Sequence, residues 1–185
     1  MGFLFGKPKI KDDERRQCMA YLEKQWKIQS FQKKESDLYD NSVINFSSSS
    51  VTDSHVVKEM CRATSRLVQS INESLRLLRS ISPVPDAASR AWHGWELRYS
   101  DYLAWATAQV AMADALLSNR AHAEAQLERL NKLALQRDES LRKAIDETIK
   151  LMRRLKPTED EHARLFQVAE DALKENWQPE EAKET

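Results

Sequence analysis

Glycine is nearly absent from this chain, at three residues in 185, and proline is held to five. Sheet proteins need many tight turns, and turns draw on Gly, Pro and Asn. That shortage excludes a sandwich or barrel. There are two cysteines, Cys18 and Cys61, with no metal-ligand spacing, so neither a disulfide framework nor a zinc module is indicated. Net charge is also missing: 29 basic residues balance 29 acidic ones. A general nucleic-acid binder carries a basic surplus, so that class is set aside. No apolar run approaches the roughly 18 residues that span a bilayer, and Phe3-Leu4-Phe5 is too short for a secretory h-region. The expectation is a cytoplasmic protein with reduced thiols, at most peripheral at a membrane.

What is abundant is Ala, Leu, Glu, Lys, Arg and Gln, the good helix formers. The fold class expected is all-α, an elongated bundle with coiled-coil-like packing. Residues 1–11 form an apolar and basic tail. A first helix is expected over 12–34, opened by Asp12, Asp13 and Glu14 where the helix dipole favours acids. Residues 35–52 contain Ser47–Ser50 and read as a serine-rich linker. The bundle domain is expected over 53–177, followed by a polar tail at 178–185.

Within that domain, Val57, Met60, Cys61, Thr64, Leu67, Val68, Ile71, Leu75 and Leu78 step by threes and fours, the mark of one apolar helix face. Pro83 and Pro85 end this helix, and Asp86 is a natural N-cap for the next. From residue 87 to 156 there is no proline and a single glycine, Gly94. Heptad positions counted from Trp92 include Trp92, Trp95, Tyr99, Tyr102, Leu116, Leu127, Leu130, Leu141, Leu151 and Leu155, interrupted at Gln109, Arg120, Arg137 and Thr148. Two architectures fit. One helix through 87–156 would be a rod on the order of 100 Å long that needs a partner helix. A hairpin broken near Asn119 would make a compact bundle. Thr158 and Glu161 form a capping box that starts the last helix.

No motif carries chemistry. His93 and Glu96 share a helix face, and Glu159 and His162 have a spacing used by di-iron bundles, but the full ligand set is lacking. There is no phosphate loop and no nucleophile elbow. The reading is therefore non-enzymatic, with no cofactor. The chain is expected to act as a scaffold or interaction protein, pairing with itself or another helical protein through the seam of residues 92–155.

Two alternatives remain open. Phe3, Leu4 and Phe5, with Lys7, Lys9 and Lys11, combine apolar burial and cationic attraction, the physics of docking on an anionic membrane surface. The opening MGFLFGKPK resembles the first residues of membrane-remodelling helical filament proteins of the ESCRT-III type. The resemblance covers nine residues and implies helical bundles that work at membranes. Residues 12–37 depart from that family's strongly basic first helices. The other alternative is a ligand-sensing bundle with a pocket among Trp92, Trp95, Tyr99, Tyr102 and Trp105.

Overall fold

The computed structural model describes residues 10–47, 54–118 and 120–174, with side chains described for 10–42, 55–115 and 126–174. Every regular element among them is helical: α1 (Asp12–Ser47), α2 (Ser54–Ser80), a 3-10 turn (Asp86–Ala88), α3 (Ser89–Ser118), α4 (Arg120–Leu155) and α5 (Glu159–Lys174). No helix among the described residues is long and apolar enough to cross a membrane.

The rod does not form. α3 and α4 lie antiparallel, as shown by Trp95 bonding to Thr148 and Gln136 to Asp101. The tight point is Gly94, where an added Cβ would meet the Ala144 Cα at 3.0 Å. A glycine here lets the two backbones close, and the apolar seam finds its partner inside the same chain. α2 runs antiparallel to α3, joined by Arg79–Glu96 and by the Trp92 indole, which donates to the Leu78 carbonyl at 3.0 Å.

α1 also differs from expectation. It passes residue 34 and continues to Ser47, so 35–47 is helix rather than linker. Nothing in that stretch stops a helix, and Tyr39 is buried against Trp105 and donates its hydroxyl to Gln109. A buried polar network ties α1 to its neighbours. The Gln32 amide carbonyl accepts from Ser74 at 2.9 Å, and Ser36 shares a hydrogen bond with the Tyr102 hydroxyl at 2.9 Å. α1 is therefore part of the bundle, and its Cys18, Leu22 and Ile28 join the same core as Leu67, Ile71, Tyr99 and Leu151. Burial of that apolar surface is the main driving force.

The helix starts are instructive. Asp86 does not cap α3; it opens the 3-10 turn. Glu14 of α1 supplies the acceptor instead, taking the Ala87 amide at 3.1 Å. The α5 capping box forms as the spacing predicts. Glu161 accepts the Thr158 amide at 2.8 Å, and Thr158 accepts the Glu161 amide at 3.3 Å. The same carboxylate takes both terminal nitrogens of Arg15, which anchors α5 parallel to α1.

Candidate binding cleft

Three of the four interfaces around the bundle are closely packed, but α1 and α4 stand apart. They are bridged at a few side chains, such as Gln25 to Thr148 at 3.3 Å and Arg15 to the Leu155 carbonyl at 3.2 Å. Between them lies a cavity of about 530 Å³, a size typical of small-molecule sites. Its floor is α3, which contributes Trp95, Arg98, Tyr99 and Tyr102. α1 supplies Trp26, Gln29 and Lys33, α4 supplies Leu141 and Ile145, and α5 adds Ala169. The steps 95-98-102 and 26-29-33 are three and four, so each helix turns one continuous stripe toward the cleft.

The charged groups in this lining are Lys33 and Arg98, both donors. The Arg98 guanidinium lies 4.2 Å from the Tyr102 ring centroid and donates to the Arg137 carbonyl at 3.3 Å. Among the described residues it has no carboxylate at ion-pair distance. Burial pulls its pKa below the ordinary value, although a guanidinium remains charged. Tyr99 is fully enclosed; burial pushes its phenol pKa up, so the hydroxyl keeps its proton. Among the described residues that hydroxyl makes no hydrogen bond, and neither does the buried Gln29 Nε2. Unpaired buried polar groups are uncommon in folded proteins, because each one forfeits its hydration. Lys33 at the rim pairs with Asp37 at 2.6 Å. Among the described residues no Asp or Glu lines the cavity.

The seam residues therefore part company. Trp95, Tyr99, Tyr102 and Leu141 meet at the cleft. Trp92 turns away to α2, and Trp105 packs on Tyr39 and under Arg137. Leu151 and Leu155 are buried in the core, Leu130 is half-buried, and Leu127 is 47% exposed. The Leu116 side chain lies outside the described residues, as do Phe3, Leu4, Phe5, Lys7 and Lys9; Lys11 is exposed just before α1. Sequence reasoning missed Trp26, Gln29, Arg98 and Ala169. For Arg98 a signal existed: it sits three residues after Trp95 and four before Tyr102, a cation on an aromatic stripe.

The two candidate metal pairs are otherwise engaged or apart from the cleft. Glu96 pairs with Arg79, and His93 bonds the Ser89 carbonyl at 3.0 Å. Cys18 is buried, and its thiol is pushed up to about 11 by loss of solvation, which makes it a packing residue and a poor nucleophile. Comparisons of this chain with protein-family models, with curated proteins and with solved structures found no match.

Proposed function

We propose that the chain is a non-enzymatic helical binding module that takes up an apolar ligand in the α1–α4 cleft. The observation that carries this reading is one cavity that combines aromatic walls, Trp26, Trp95 and Tyr102, with the Arg98 guanidinium, which has no carboxylate at ion-pair distance among the described residues. The aromatic faces would hold the apolar body of a ligand, and a polar group on it could meet Arg98. Ligand occupancy would also brace the one open side of the bundle, which is how such a module could report binding.

The test is a titration with the neutral solvatochromic dye Nile red. Saturable one-to-one emission enhancement is expected, and it is lost in Ala169→Trp, which fills the cleft wall. Enhancement unchanged by Ala169→Trp would remove the cleft as the site.

The scaffold reading has its own support in the distal half of α4. Leu127 is 47% exposed and Leu135 is 74% exposed, more apolar surface than the α3 interface requires. Self-association would use this outer strip, since Trp95, Tyr99 and Tyr102 are already buried within one copy. Sedimentation tests it: a concentration-dependent dimer abolished by Leu135→Glu is expected on that reading, and a monomer at all concentrations counts against it.

A further inference from the structure

Resting on the cleft reading, we infer that the ligand is an amphipathic anion: a small apolar molecule bearing one carboxylate, seated with its acid group toward Arg98. The charge balance of the lining points this way. Among the described residues, Lys33 and Arg98 line the cavity and no acid does. Lys33 already has Asp37, whereas Arg98 among the described residues has a neutral carbonyl, from Arg137, and the Tyr102 ring face. The nearby Asp138 carboxylate is paired with Arg137 at 2.8 Å.

A neutral ligand would leave the half-buried guanidinium with one weak hydrogen bond. A carboxylate would supply two acceptors to the guanidinium fork. A cationic ligand would set like charges against each other. Ser30, Gln32 and Ser36 add polar groups, but most of the lining surface is apolar, from Trp26, Trp95, Leu141, Ile145 and Ala169, so a fully hydrophilic anion such as phosphate would forfeit most of the contact area. The chemistry is thus a headgroup on an apolar body.

The experiment compares decanoate, below its micellisation concentration, with 1-decanol by isothermal calorimetry on the full chain at neutral pH. Decanoate should bind about tenfold or more tightly than decanol, the increment a charge-assisted hydrogen bond provides. In Arg98→Gln that preference should collapse while decanol affinity holds. Arg98→Lys, which keeps a cation and loses the planar fork, is expected to weaken decanoate severalfold, retain part of the preference and spare decanol. Equal binding of decanoate and decanol, insensitive to both substitutions, would overturn the anion inference and leave the cleft reading standing. Saturable binding of neither probe would overturn both.

Discussion

At the scale of single residues, three polar interruptions of the heptad pattern, Gln109, Arg137 and Thr148, turn out to be cross-links. Thr148 looks like a defect in an apolar stripe. In the structure its hydroxyl accepts from the Trp95 indole at 2.9 Å and from Gln25 at 3.3 Å, and donates to the Ala144 carbonyl at 2.9 Å. Gln109 accepts from Tyr39, and Arg137 lies 4.2 Å over the Trp105 ring. Replacing Thr148 with isosteric Val leaves buried donors unpaired and should lower unfolding stability by about 1–3 kcal/mol, with Ser restoring most of it. Denaturant titration of the three proteins checks this; a Val variant as stable as wild type would contradict the assignment.

Glu161 offers a pH test at the same scale. Hydrogen bonds from Arg15, then from the Thr158 amide, hold its carboxyl at about 2, below its ordinary 4.5. A depressed folded-state pKa gives stability that is fully present above the unfolded value and is lost as pH falls through the folded one. The melting temperature should therefore fall between about pH 4.5 and 2, and Glu161→Gln should have a shallower acid limb in that window. Identical limbs would rule Glu161 out as the titrating group.

At the scale of elements, α2, the proline break after it and the α5 capping box were legible because each rests on local signals. The apolar period, the Pro83-Val84-Pro85 stop and the Thr158–Glu161 spacing act over a few residues. The extent of α1 and the choice between rod and hairpin were not legible, because tertiary contacts decide both. Serine and asparagine near residues 41–47 disfavour helix only weakly, and the contacts of Tyr39 outweigh them. The α3–α4 reversal near residue 119 has no glycine or proline to announce it.

Gly94 is the better clue to the hairpin, once its neighbour is known. In an isolated helix, a larger residue would raise stability by up to about 1 kcal/mol. Against the Ala144 backbone at 3.0 Å, Gly94→Val should instead destabilise by about 1–3 kcal/mol. A stabilised Val variant in thermal unfolding would mean that α3 and α4 do not approach this closely.

At the scale of the whole molecule, the bundle is closed on three sides and open on one. α5 lies on α1, with Trp26 meeting Phe166 edge-on at 5.4 Å, and does not pack closely on α4. The aromatic cluster on α3 was visible as a seam in the sequence, but its division was hidden. Trp92 serves the α2 interface while Trp95, Tyr99 and Tyr102 serve the cleft, and that split depends on how far α1 and α4 stand apart. No linear pattern encodes that separation. It also explains why the cavity lining comes from residues on four helices that are brought together only by folding.

The most direct test of the cleft follows the tryptophan indole N–H signals by nitrogen-edited NMR during titration with decanoate. Trp26 and Trp95 line the cavity, whereas Trp92 is bonded to the Leu78 carbonyl on the far side of α3. Saturable shifts of the Trp26 and Trp95 signals, with Trp92 unmoved, are the predicted result. Shifts confined to Trp92, or no saturable shift at Trp26 and Trp95, would contradict the binding cleft.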